Sequence, residues 1–143
     1  MATFKKFEEI EVWQKARLLD LDIFKLIEET KICKDFKLKD QMLGSSGSIM
    51  DNIAEGFGRG GNREFIQFLY ISKGSCLELM SQSYRAFDRK YITEPNLNGL
   101  LEKLQEINNK IGSLVSYLSR SDIRGPKYKQ ADTKRLNSET RNN

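Results

Sequence analysis

The sequence predicts an all-α protein, an up-down antiparallel four-helix bundle with a flexible basic C-terminal tail. Three observations favour this fold. The 143 residues include only two prolines, whereas a sandwich or barrel needs many short strands with turn signals between them. The apolar residues recur at steps of three and four, which is typical of amphipathic helices. The hydrophobic content of 38% suits one domain with a core, because two domains would need a longer chain.

The first helix is predicted from Glu9 to about Thr30. Leu18 and Leu21 fall outside its apolar stripe, so this helix has more apolar surface than one partner face requires. We expect another surface to cover them. The stripe itself follows helical spacing: Val12, Ala16, Leu19, Ile23, Leu26 and Ile27.

The second helix is predicted from Leu38 to Phe57, after a connection of sequence TKICKDFKLKD. Gly44 and Gly47 lie inside it, and each glycine costs a helix interior roughly 1 kcal/mol relative to alanine. These positions therefore either break the helix or let another backbone come close. We favour close helix packing.

The third helix is predicted to begin at an Asn62 N-cap and to extend to Phe87. Ile66 and Tyr70 belong to the stretch FIQFLYI, whose apolar residues occupy most of the helix circumference. Such a helix is typically buried on two sides.

The fourth helix is predicted to follow Thr93 as its N-cap, with Pro95 in the first turn, where a missing N–H costs nothing. Its apolar residues alternate at steps of three and four, which favours coiled-coil-like bundle packing. They are Leu97, Leu100, Leu104, Ile107, Ile111, Leu114 and Leu118.

The chain divides into a predicted bundle, residues 1–118, and a predicted tail, residues 119–143, which loses helical periodicity and contains Gly125-Pro126. The formal net charge of +4 comes entirely from the tail. Residues 1–118 contain 17 basic and 17 acidic side chains, whereas the tail contains seven basic and three acidic ones.

Composition excludes several kinds of site. The chain has no histidine, so it lacks the commonest transition-metal ligand and the usual acid–base group near neutral pH. Cys33 and Cys76 lack CxxC spacing, and we expect reduced thiols, no disulfide, no metal and no cofactor. No stretch approaches a membrane span, since Asp20, Asp22 and Lys25 interrupt the first apolar segment, and the N-terminus has acidic residues where a signal peptide needs an apolar run. We expect a cytoplasmic protein without membrane contact.

The stretch GFGRGG at Gly56–Gly61 poses the question of a phosphate cradle or a turn. The nucleotide-binding fingerprints need a strand before the loop, and the residues upstream have helical spacing. We therefore interpret the glycines as a turn that ends the second helix, while Arg59 and Arg63 leave an anion site as an alternative. Glu55 and Arg59 are expected to form a solvated i,i+4 pair. Asn52 lies on a mostly apolar face and, if it is buried, is expected to bond the backbone of the turn.

The tail is a candidate nucleic-acid contact, because lysines on both sides of Tyr128 would neutralise phosphates while the ring stacks on a base. The alternative is a tail that only keeps the protein soluble, and the sequence leaves both open. Arg59 and Arg63 are expected to assist this nucleic-acid contact locally. The candidate tail residues are Arg124, Lys127, Tyr128, Lys129, Lys134 and Arg135.

Three segments carry a family resemblance: FEEIEVWQKARLL at Phe7–Leu19, SIMDNIAEGFGR at Ser48–Arg59 and REFIQFLYISKGSCLEL at Arg63–Leu79. The chain resembles the bacterial four-helix-bundle proteins encoded by intervening sequences within large-subunit ribosomal RNA genes. The resemblance covers roughly Phe4 to Leu118, and the string NIAEGFGR is its most specific part.

The resemblance implies a bundle that assembles into a ring, typically a pentamer, without catalytic residues. A related branch serves diversity-generating retroelements as accessory proteins that bind RNA and a reverse transcriptase. A ring would explain the surplus apolar positions Leu18, Leu21, Ile66 and Tyr70, which we expect at the interface. The leading hypothesis is a non-enzymatic, homo-oligomeric scaffold that binds RNA or a reverse-transcriptase-like partner. The alternative is a small-anion or nucleotide-binding enzyme that uses the Gly56–Gly61 loop.

Overall fold

A computed structural model of the chain describes residues 4–121, which form four α-helices and no strand. The four-helix bundle is thus confirmed. The helices are α1 (Glu11–Glu29), α2 (Phe36–Gly58), α3 (Asn62–Asp88) and α4 (Glu94–Arg120), with short 3-10 helices at Phe7–Glu9 and Lys31–Lys34. The predicted tail lies outside the described residues beyond Ser121, and α4 continues two residues past the predicted bundle boundary at 118.

Cross-helix hydrogen bonds give the direction of α2 and α3. Arg85 donates to the Gln41 side chain over 2.9 Å, and Ser75 Oγ donates to Ser48 Oγ over 2.9 Å. Residue numbers therefore rise along one helix as they fall along the other, so these two helices are antiparallel.

Helices α1 and α4 are joined by ion pairs along their surface. The pairs are Glu11–Lys110 at 3.1 Å, Lys15–Glu106 at 3.0 Å and Asp22–Lys103 at 2.8 Å. They also run in opposite directions along the two helices. Because these side chains remain largely in water, the pairs align the helices more than they stabilise them.

The core is an apolar cluster to which all four helices contribute. The predicted stripe of α1 is buried except for Leu26, which is half-buried. In α4 the predicted residues are buried as far as Ile111, but in the next turn Val115 is buried and Leu114 is half-buried. A straight helix of 3.6 residues per turn drifts from strict alternation of three and four, and the shift from Leu114 to Val115 follows that drift.

The glycines of α2 do not act as predicted. The helix is continuous through Gly44 and Gly47, and a Cβ on either would meet nothing within 4 Å. The expected close packing there is wrong, because both glycines lie on the side of α2 away from its buried residues. The close approach occurs instead at Gly56, where a Cβ would lie 2.6 Å from the Phe68 Cβ.

Two predicted helix caps have different outcomes. Thr93 caps α4 as predicted, since its Oγ1 accepts from the Asn96 N–H over 3.2 Å and Pro95 lies in the first turn. The Asn62 N-cap is wrong: Gly61 is the N-cap, and Asn62 is the first residue of α3. The Asn62 amide instead donates to the Ser121 carbonyl over 2.8 Å and so caps the end of α4.

Candidate functional site

The glycine stretch is a turn between two helices. It spans the end of α2 at Gly58 and the start of α3 at Asn62, and Gly60 adopts a φ of 80°, which favours glycine. No strand precedes it in the described part of the chain. The arrangement required by both nucleotide fingerprints is therefore missing at this loop.

The two arginines near this turn, Arg59 and Arg63, differ in their contacts. Arg59 donates to Glu55 Oε1 over 2.8 Å as predicted, and its guanidinium lies 5.0 Å from the centre of the Phe68 ring. Arg63, in the first turn of α3, is exposed. Arg59 and Arg63 thus share one end of the bundle, but Arg59 is already held by a carboxylate and a ring.

Asn52 does not bond the turn, so that prediction is wrong. Its amide donates to the Ser48 carbonyl over 2.8 Å and to Ser48 Oγ over 2.9 Å, one turn earlier in α2. Ser48 Oγ in turn accepts from Ser75 Oγ of α3. Asn52 therefore belongs to a polar contact between α2 and α3. The turn lies further along α2, beyond the reach of the Asn52 side chain.

The exposed apolar surface of α1 borders a groove of about 760 Å³ between α1 and α2. Leu18 and Leu21, which the sequence placed outside the core, are 62% and 47% exposed. Phe24, 51% exposed, extends the same patch and was missed, although it follows Leu21 by one helical step of three. Trp13 forms the other end of the groove, beneath the Arg17 guanidinium at 5.9 Å.

A second apolar surface follows α3. Tyr70, Leu77 and Tyr84 are each at least half exposed, and their spacing of seven places them on one line along the helix. Leu77 and Tyr84 were missed by sequence reasoning, although that spacing marks them. Ile66, predicted with Tyr70, is half-buried and packs against the core.

Beside Tyr70, a polar groove of about 450 Å³ lies between α3 and α4. Lys73 lines it and forms no hydrogen bond or ion pair with another described residue. Asn108 faces it from α4, and its Oδ1 is buried without a hydrogen-bond partner in residues 4–121. Sequence reasoning missed both residues, because the pairing of α3 with α4 brings them together.

The remaining chemistry is limited. Burial raises the pKa of the Cys76 thiol to about 12, so it is protonated and a poor nucleophile at neutral pH. Both cysteines are free thiols. No cluster of metal-ligating side chains occurs within residues 4–121, and no helix in that range combines the length and apolar character needed to cross a bilayer. The six candidate tail residues, from Arg124 to Arg135, lie outside the described residues.

These features define a class of protein: a helical bundle whose distinguishing features are surface grooves and exposed apolar side chains. The sequence model of the 23S rRNA-intervening sequence protein family matches residues 8–113. The chain belongs to this family, as the resemblance of its motifs predicted. No curated protein shows significant similarity to the chain.

A solved structure shares the fold. It is the crystal structure of a protein of unknown function from the S23 ribosomal protein family of Bacteroides thetaiotaomicron. It is 23% identical to this chain, with a TM-score of 0.67, and the match covers 73% of this chain and 95% of the other. At this identity the likeness concerns the fold alone.

Proposed function

We propose that this protein is a non-enzymatic scaffold that assembles into a ring and binds RNA. The observation that carries the proposal is exposed apolar surface on two helices that do not adjoin. One surface consists of Leu18, Leu21 and Phe24 on α1, and the other of Leu77 and Tyr84 on α3. Apolar patches of this kind on a soluble chain commonly mark contact sites.

The positions of the two surfaces favour a ring over a simple dimer. Helices α1 and α3 each pack against α2 and α4, so they lie diagonally across the bundle and their outer sides face apart. When two different patches join, each added copy leaves another patch open, and the assembly closes only as a ring. The pentamer implied by the family resemblance is one such closed ring.

The RNA part of the proposal rests on charge. The bundle, residues 1–118, is formally neutral, whereas residues 119–143 supply the entire excess of +4. A ring would gather several such tails, and linked weak contacts gain affinity through their effective concentration. A protein partner that processes nucleic acid is a second route to the same role.

The first test is the mass of the assembly. Five chains of 16.6 kDa would give about 83 kDa by light scattering. Leu18→Glu combined with Leu21→Glu is expected to reduce this to one chain while the helical circular dichroism is retained, because both side chains lie outside the core. Lys37→Glu, an exposed substitution with the same change in charge, should leave the mass unchanged.

Two results would contradict the assembly. A wild-type monomer at micromolar concentration would remove the ring outright. Unfolding of the double variant would mean that this side of α1 belongs to the core, so that its exposure had been assigned wrongly.

A further inference from the structure

In the α3–α4 groove, one cation and one buried acceptor lack a partner among residues 4–121. A Cβ on Gly112 would lie 3.5 Å from Lys73 Nζ, an ordinary van der Waals distance, so the ammonium lies beside this turn of α4. Asn108 lies four residues earlier, on the same face of α4. The Lys73 ammonium and Asn108 Oδ1 each lack a partner among the described residues, and both side chains line this one groove.

The two groups require opposite chemistry from a ligand. A buried acceptor without a donor is unfavourable, and a ligand N–H or O–H would supply the missing hydrogen bond. The lysine ammonium has three donors and needs an anion or a carbonyl. A fitting ligand thus carries an acidic group and a hydrogen-bond donor a few ångströms apart.

Tyr70 narrows the class of ligand further. It lies three residues before Lys73 on α3, one turn away on the same face, and its ring is 58% exposed at the groove. A flat exposed ring beside a cation is the combination that binds single-stranded nucleic acid, with a base on the ring and a phosphate on the cation. Asn109 lines the same groove, and its Oδ1 accepts from Gln105 over 2.9 Å.

We infer that this groove binds one nucleotide unit of single-stranded nucleic acid. Lys73 holds the phosphate, Tyr70 stacks on the base, and Asn108 Oδ1 accepts from an amino group of the base or a ribose hydroxyl. The inference rests on the proposed function for the class of ligand, but it places a contact on the bundle instead of the tail. It also gives Tyr70 a role other than the subunit interface predicted from sequence.

The test measures binding of a labelled oligoadenylate RNA to the full chain at several salt concentrations. Tyr70→Ala is expected to weaken binding at least about fivefold, as the loss of one stacked base. Lys73→Gln is expected to reduce the salt slope by about 0.7, the contribution of one phosphate on a single strand. Phe36→Ala and Lys37→Gln remove another exposed ring and another exposed lysine, away from the groove, and should change neither quantity.

A second measurement separates the groove from the tail. Titration with adenosine monophosphate, followed by the Tyr70 ring and Asn108 side-chain NMR signals, is expected to shift both in a saturable way. If these signals shift while the full chain binds no RNA, the groove is a nucleotide-binding site and the proposed RNA-binding function is wrong. If substitution of the tail cations abolishes RNA binding while the groove variants and signals do not respond, the proposed function stands and this inference is wrong.

Two further outcomes would overturn the inference. A change in assembly mass for Tyr70→Ala would assign that ring to the subunit interface. Saturable shifts with an acetylated acidic tripeptide but none with the nucleotide would mean a peptide-binding surface, because the tripeptide offers a carboxylate and N–H donors without a base.

Discussion

Gly56 shows how a single residue sets the distance between two helices. A Cβ there would lie 2.6 Å from the Phe68 Cβ and 3.3 Å from the Phe65 carbonyl oxygen. Neither atom is the free end of a flexible side chain, so α2 and α3 would have to move apart. Gly56, the first glycine of the NIAEGFGR string, is therefore explained by packing, with no need of a phosphate ligand.

Gly56→Ala is expected to lower the free energy of unfolding. Overpacking costs about 1–3 kcal/mol, which exceeds the gain of roughly 1 kcal/mol from replacing a helical glycine by alanine. Urea denaturation followed by circular dichroism measures the change. Gly44→Ala, where a Cβ meets nothing within 4 Å, should be neutral or stabilising. Equal stability of the two variants would mean that α2 and α3 are not this close.

Other residues show which features local sequence can predict. The Thr93 cap was predicted from Thr93 and Pro95, and its bonding partner Asn96 lies only three residues from Thr93. Asn62 has the same capping character, yet it bonds the end of α4, 59 residues away. A partner at that distance depends on how the helices pair, which local propensity does not contain. The spacing within α1 indicated that Leu18 and Leu21 lie outside the core, but no local pattern could indicate that Lys73 and Asn108 line one groove.

At the scale of elements, the connection between α1 and α2 is fixed to the far end of α3. Asp35 Oδ1 accepts from the Leu38 N–H as the N-cap of α2, and its Oδ2 accepts from Arg89 over 2.8 Å and from the Tyr91 hydroxyl over 3.0 Å. The Leu38 N–H, then Tyr91 and Arg89, lower the pKa of Asp35 below its ordinary value. One carboxylate thus joins the start of α2 to the residues that follow α3.

The lowered pKa of Asp35 makes this junction sensitive to acid. A carboxyl group whose pKa is lower in the folded state stabilises the fold above its unfolded pKa, near 3.8, and this contribution is lost as the pH falls through the folded value. Asp35→Asn is expected to reduce stability at about pH 7 and to narrow the difference between about pH 7 and about pH 3. Urea midpoints at both pH values measure it.

The control for this junction is Asp51→Asn, which changes an exposed carboxylate within α2. It should leave the wild-type difference between the two pH values intact. If the difference between the urea midpoints at the two pH values is as large in Asp35→Asn as in the wild type, other groups cause the acid sensitivity.

At the scale of the whole molecule, the apolar contacts and the charge are in separate parts of the chain. The exposed apolar side chains lie on the bundle, on α1 and α3, whereas the excess positive charge lies in the C-terminal residues. A ring built from the bundle would leave the tails available for a polyanion. Assembly and long-range attraction for RNA should therefore be separable by mutation.

Removal of residues 122–143 tests this separation. The cut leaves Ser121 in place, because its carbonyl accepts from Asn62 at the end of α4, and it removes six basic and three acidic side chains. We expect the shortened chain to keep the helicity and the mass of the assembly but to lose most of its affinity for RNA. The logarithm of the binding constant should fall with the logarithm of salt concentration by about 0.7 per phosphate neutralised on a single strand. The shortened chain should therefore show a flatter slope, with the Lys73 contribution remaining.

In the full chain, Tyr128→Ala should weaken the binding of single-stranded RNA more than that of duplex RNA, because only unpaired bases offer a face to the ring. An unchanged affinity and slope after truncation would place RNA binding on the bundle and leave the tail as a solubilising segment.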